Sequence, residues 1–211
     1  MQVTQFALNQ GQWDRPLEFC EHTNLVLLFG CADLAVDSQL YAQIRQTFPN
    51  AQIIGCSTAG EIFQQEIIDC SLVINAIQFE HAHIKIDCLP FSHNEHNNLI
   101  QSLESLNAPD LKYLMVLSDG HSINGSELVE ELNKHLQENV VATGGLAGDG
   151  SKFEQTYVWH NGIRKTGHVL LCGFYGDNLQ VSQGSVGGWD AFGPDRTVTE
   201  STNNILYTLD D

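Results

Sequence analysis

Two short runs of small residues hold the groups best suited to gripping a ligand: GCSTAGE at 55–61 and GGLAGDG at 144–150. Each follows an apolar run, which predicts a loop at the carboxyl end of a strand, where open α/β sheets take their ligands. Glycine and alanine let a ligand approach the main chain closely. Ser57, Thr58 and the backbone around Gly60 and Gly145 suit a carboxylate or a carbonyl, and Glu61 and Asp149 suit an ammonium group. A third segment, SDGHSINGSE, sets Asp119 and His121 in the same kind of position.

Other chemistries fit less well. GCSTAGE is not a G-x-S-x-G elbow, and no histidine is placed by sequence to activate Cys56 or Ser57. GGLAGDG lacks the G-K-[ST] ending of a phosphate loop. His81-x-His83 and His93-x-x-His96 lack a third ligand at a familiar spacing, so both read as solvated surface pairs. The expectation is a binding module and not an enzyme.

The elements that position these loops follow from apolar patterning. Asn24–Gly30, Gln52–Cys56, Asp69–Phe79, Lys112–Ser118, Val140–Thr143, Gly167–Tyr175 and Leu179–Gly184 read as strands. His83–Leu89 alternates like a half-buried strand. Asp37–Phe48, 94–105 and Gly125–Glu138 carry apolar residues at helical spacing. Asp37 or Ser38 caps the first helix and Ser126 or Asn124 the third. Gln155–Trp159 followed by His160-Asn161-Gly162 predicts a hairpin.

The pattern repeats. The stretch from Leu25 to Glu61 aligns with that from Leu114 to Asp149; Gly30 matches Gly120, Gly60 matches Gly148 and Glu61 matches Asp149. The fold expected is α/β: two duplicated β-α-β-β-β halves, about 20–110 and 111–190, with mixed sheets flanked by helices in a layered sandwich.

Composition narrows the partners. The 211 residues carry 9 Lys/Arg against 26 Asp/Glu, a net charge of −17. Phosphate backbones and anionic lipid surfaces repel such a chain, so no nucleic acid and no membrane is expected. No apolar run reaches the ~20 residues of a membrane span, and the N-terminus lacks a signal-peptide pattern. Six cysteines without a C-x-x-C pair fit a cytoplasmic protein with reduced thiols. Cys31, Cys70, Cys88 and Cys172 lie in apolar runs and read as small hydrophobes.

Through GCSTAGE, SDG…NGSEL, GGLAGDG and the tail motif GGW…FGP.R.VT.S..N.LY.LD, the chain resembles the N-terminal half of the FIST sensory domain family from about residue 20 onward. The resemblance implies a cytoplasmic ligand-sensing domain of bacterial signal transduction, spanning 1–211, with the family's further C-terminal portion absent. It implies small-molecule ligands such as amino acids. The GGWDAFGPDR tail resembles the nitric-oxide-sensing NosP branch, which implies haem, a gas ligand, and a histidine kinase or cyclic-di-GMP enzyme as partner. The family resemblance identifies no iron ligand. Among the residues, His168 leads, on one strand face with Leu170, Cys172 and Phe174, followed by His121, His160 and His93, with Cys172 as a thiolate alternative. The propionates would need Arg196 or Arg164. Two alternatives stay open: a sensor of zwitterions without haem, and a ligand-free interaction scaffold.

Overall fold

Short apolar runs bounded by turn residues become strands, and the two sheets they form are each too apolar on both faces to stand alone. The computed structural model describes residues 1–34, 38–93, 96–184, 186–188, 190–202 and 205–210. Contacts divide the chain into Met1–Val181 and Ser182–Asp211.

In the larger unit, β1 (Gln2–Asn9), β2 (Gln12–Trp13), β3 (Leu25–Gly30), β4 (Gln52–Ser57), β7 (Leu72–Gln78), β11 (Val158–His160) and β12 (Ile163–Lys165) form one sheet in the order β12-β11-β4-β3-β7-β1-β2. A second sheet has the order β10-β9-β13-β8, from β8 (His83–Pro90), β9 (Leu111–Ser118), β10 (Val141–Leu146) and β13 (His168–Tyr175). A small hairpin joins β5 (Glu61–Phe63) to β6 (Glu66–Ile68).

Three apolar layers hold these parts together. Helix α1 (Ser38–Thr47) lays Ile44 over Phe6, Val26, Leu28, Ile53 and Ile74 of the first sheet. Helices α2 (Asn97–Leu106) and α3 (Gly125–His135) cover the second sheet with Leu99, Leu103, Leu128 and Leu132. Between the sheets lie Leu25, Ile54, Cys56, Leu117, Val158, Leu170, Cys172 and Phe174. The result is an α/β sandwich with mixed sheets and helices outside, the fold class expected from the sequence.

The helix ends follow from local chemistry. Asn124 caps α3, its side chain accepting from the Ser126 and Glu127 N–H groups. Just past the end of α1, Arg45 donates to the carbonyls of Phe48, Pro49 and Ala51 and so ties the helix to the turn that follows it. Asp37 lies outside the described residues. His96 is not solvated: it stacks on Phe91 at 5.2 Å and bonds Glu127 at 2.6 Å.

The duplication is visible in strand direction. β4-β3-β7-β1 and β10-β9-β13-β8 have one order and one polarity, a parallel pair followed by two antiparallel neighbours, so the repeat has bounds other than 20–110 and 111–190: β8 falls in the second sheet. Each parallel pair has a glycine at the same place. A Cβ on Gly55 would lie 1.7 Å from the Leu28 carbonyl oxygen, and one on Gly144 would lie 1.7 Å from that of Val116.

The halves differ in what flanks them. The β11–β12 hairpin comes from the second half yet pairs with β4 of the first half. Its tight turn places Asn161 and Gly162 at φ 48° and 84°, the left-handed pair of a two-residue hairpin loop. Trp159, opposite Gly55, sinks beneath α1 and donates from Nε1 to the Leu28 carbonyl at 2.9 Å. Beside β10 no strand takes the corresponding place among the described residues, and a groove of about 310 Å³ runs there between β10 and α3.

Two expectations need correction. Leu179–Gly184 forms no strand; the chain turns after Tyr175 and continues irregularly. Cys31 and Cys70 are not core hydrophobes; Cys31 is half-buried and Cys70 exposed, while Cys172 is fully buried. Within Ser182–Asp211 the described structure is a hairpin of β14 (Val198–Thr202) and β15 (Ile205–Leu209).

Candidate functional site

The carboxyl ends of both parallel pairs release the chain in the same way. Thr58 N–H donates to the Gly30 carbonyl at 3.1 Å, and Ala147 N–H donates to that of Ser118 at 2.7 Å. The two loops then meet: Gly148 N–H donates to the Ser57 carbonyl at 2.9 Å. Ser57 is fully buried in this junction, where its Oγ accepts from Tyr157 N–H.

The loop acids have a different use from the one their sequence suggested. Glu61 is 1% exposed, and its carboxylate accepts from Thr58 Oγ1 at 2.6 Å and from the Ser71 N–H and Oγ at 2.8 Å each. Asp149 accepts from the Glu154 and Gln155 N–H groups at 2.7 and 2.9 Å, with His121 Nε2 at 3.3 Å. Burial pushes the Asp149 carboxyl up, but these bonds outweigh it and hold it below the usual range. Asp119, 1% exposed, gathers Gly167 N–H, Thr156 Oγ1, His121 N–H and both donors of Ser122. Each acid braces its own loop to a later segment. The oxygens reserved for an ammonium group are already occupied by internal donors.

What the braced loops leave open is a cavity of about 330 Å³. Thr58 and Ala59 of the first loop and Asp149, Gly150 and Ser151 of the second form its walls, with Cys31, Asp33, Cys70 and Lys152. A second hollow of about 220 Å³ shares Ala32, Asp33, Asp149 and Lys152 with it and adds Tyr157 and Arg164. Lys152 Nζ and Asp33 Oδ2 form an ion pair of 2.7 Å across the two halves, both side chains exposed. Asp33 beside it holds the Lys152 ammonium above its usual range. Arg164 lies over the Tyr157 ring at 4.3 Å. Cations and carboxylates thus alternate around one opening.

Sequence reasoning placed Thr58 and Asp149 here but passed over Asp33 and Lys152, which sit outside the glycine motifs. Gly60 packs against Ile67 and Asp69 of the β5–β6 hairpin, and Gly145 lines the groove beside α3 instead. Cys56 is buried, and burial pushes its thiol up to about 12.

The histidines do not converge. His168 opens β13 with Nδ1 2.6 Å from the Thr166 carbonyl, and the strand face it shares with Leu170, Cys172 and Phe174 is the packed core between the sheets. His121 is held by Asp149 and touches the Phe153 ring. His160 pairs with Ile54 in the first sheet, where burial and then Lys165 lower its imidazole. His93 bonds Glu127. Arg196 belongs to the smaller unit and pairs with Asp210 at 2.8 Å. No histidine lines any of the five cavities characterised, and the described residues contain no group of three or more metal-donor side chains arranged for an ion. The candidate imidazoles line none of these cavities and the alternative thiolate, Cys172, is sealed in the core between the sheets, so the candidate ligands in place do not fit a haem.

No helix among the described residues is long and apolar enough to cross a membrane. No curated protein sequence matches the chain. The family model of the FIST N domain matches residues 24–211. The chain therefore belongs to the FIST family, whose members are sensory domains of signal transduction proteins.

Proposed function

We propose that this domain senses a small zwitterion of the amino-acid class, bound without turnover at the junction of the two related loops, in the cytoplasm of a bacterial cell. The observation that carries the reading is the cavity of about 330 Å³ crossed by the Lys152–Asp33 pair. A ligand bearing one carboxylate and one ammonium group matches that pair in sign and in size. Lys152 takes the carboxylate, with Arg164 next to it, and Asp33 takes the ammonium. An exposed ion pair contributes little to stability, so a ligand displaces it at small cost. Thr58 and the backbone of Gly150 and Ser151 supply further polar contacts at the wall.

Signalling follows from the placement of the two poles. Asp33 follows β3 in the first half, and Lys152 follows β10 in the second. A ligand clamped between them favours one mutual setting of the loops, and a kinase or a cyclic-di-GMP enzyme reads the shifted population. Haem-dependent nitric oxide sensing would require an apolar slot with an iron ligand aimed into it, so we prefer the zwitterion.

The test is a thermal-shift panel of the common amino acids on the whole chain. At a hundredfold excess over its Kd, a true ligand adds about 2.7 kcal/mol, which raises Tm by roughly 5–11 °C for a protein of this size. Lys152→Ala should abolish the shift while leaving the ligand-free Tm nearly unchanged. If no amino acid moves Tm, the zwitterion reading fails; a Soret band after haem titration would restore the haem reading.

A further inference from the structure

Cys31 and Cys70 are 39 positions apart in the chain, yet their sulfurs lie 2.9 Å from one another. The strands bring them together. Cys31 follows the last residue of β3, and Cys70 stands two residues before β7, the antiparallel neighbour of β3. Cys31 N–H donates to the Ser71 carbonyl at 3.0 Å, which fixes the two backbones side by side. Cys70 itself has a left-handed backbone, φ 54°, an uncommon conformation for a residue with a side chain. The separation is within about 1 Å of the S–S bond length of ~2.05 Å. One thiol of the pair is exposed and the other half-buried, so small reagents reach them. Both line the wall of the loop-junction cavity.

We propose that Cys31 and Cys70 are a reversible dithiol–disulfide pair, a modification site in the cavity wall, oxidised by a low-molecular-weight disulfide of the glutathione class. One protein thiol loses its proton, and the thiolate attacks a sulfur of the small disulfide, expelling one small thiolate. The second protein thiolate attacks the mixed disulfide and expels the other. Two protein thiols are oxidised, one small disulfide is reduced to two thiols, and the two protons go to the departing thiolates.

The other cysteines form no competing pair, although a hydrogen bond with Thr23 lowers the half-buried Cys20 thiol and opens it to a glutathione adduct of its own. Cys56 and Cys172 are buried, and burial pushes each thiol up to about 12. Cys20 and Cys88 have no sulfur partner among the described contacts. The Cys70 thiol is pushed up to about 11, chiefly by its hydrogen bond with Cys31, so the exchange is slow at neutral pH. Exchange should quicken as the pH rises, because the thiolate is the attacking species. The bridge depends on the two sulfurs alone and requires no occupant of the cavity.

The experiment uses the intact chain, reduced and then exposed to oxidised glutathione. In Cys20→Ser, thiol titration under denaturing conditions should show two of the five remaining thiols lost, and dithiothreitol should return them. Mass mapping without reduction, after combined tryptic and Glu-specific digestion, should give one cross-linked peptide joining Cys31 to Cys70. Cleavage at Glu21 separates Cys20 from Cys31, and cleavage at Glu61 and Glu66 separates Cys56 from Cys70. In Cys31→Ser the cross-link should vanish and leave a glutathione adduct on Cys70. Five intact thiols in Cys20→Ser, a stable glutathione adduct on Cys31 or Cys70 while both are present, or a cross-link between any other cysteines would overturn the proposal.

Discussion

Asp119→Ala is expected to cost the fold at least about 3 kcal/mol. The carboxylate is 1% exposed and accepts from five donors on three segments: Gly167 N–H, Thr156 Oγ1, His121 N–H, and Ser122 N–H and Oγ. Alanine strands the buried Thr156 hydroxyl and removes the one group that ties the three segments together, and each stranded buried group costs about 1–3 kcal/mol. Urea unfolding at pH 7 measures the loss. Asp119→Asn retains one acceptor oxygen but turns an N–H₂ toward donors, so it should lose about half as much. The pH dependence separates charge from shape. Burial raises the Asp119 carboxyl, but the hydrogen bonds outweigh it and leave the folded pKa below the unfolded value. A lowered folded pKa means that the stabilisation is complete above the unfolded value, near pH 4, and is lost as pH falls through the folded one. The gap between wild type and Asp119→Asn should therefore stay constant from pH 5 to 8 and shrink below about pH 4. A gap that is flat down to pH 2.5 would show that the charge contributes nothing.

The second large effect is expected at the matched glycines. Gly55→Ala and Gly144→Ala each drive a methyl group to 1.7 Å from a carbonyl oxygen of the adjacent parallel strand. Leu28 cannot retreat without parting β3 from β4 inside the first sheet, so Gly55→Ala should cost about 3 kcal/mol or more, whereas β10 is an edge strand with room on its outer side, so Gly144→Ala should cost less. Gly55 also faces the Trp159 ring nitrogen, 2.7 Å from the added atom, so its variant should loosen the β11–β12 hairpin as well. Gly145→Ala is the control: a Cβ there meets nothing within 4 Å, and the change should stay within about 0.5 kcal/mol. Denaturant midpoints for the three variants decide the matter. Tolerance at Gly55 and Gly144 alike would mean that the strands are less tightly apposed than described.

The parts legible in the sequence are those written locally. The apolar runs at Leu25–Gly30 and Leu111–Ser118 read as buried strands, and the stripe of α1 and the cap and stripe of α3 are set by neighbours within four residues. The Asn161-Gly162 turn is equally local, because only such residues accept two successive positive φ values. What stayed hidden depends on distant partners. Nothing in Val158–His160 says that it joins β4 of the other half. Leu179–Gly184 has the composition of a strand, but no neighbouring strand pairs with it. The site shows the same division. The two loops and their acids stand out as motifs, yet Glu61 and Asp149 face inward because Ser71, Glu154 and Gln155 happen to offer donors. Asp33 and Lys152 lie on plain stretches and acquire meaning only when the halves close on one another.

The hairpin carrying Trp159 acts as a clasp. It leaves the later half, fastens to the outer strand of the earlier one, and returns through β13 to its own sheet. Pulling either half away would strip β4 of a neighbour and leave the space under α1 hollow. The two repeats, although each has the outline of a self-standing module, must therefore melt and assemble as one cooperative body.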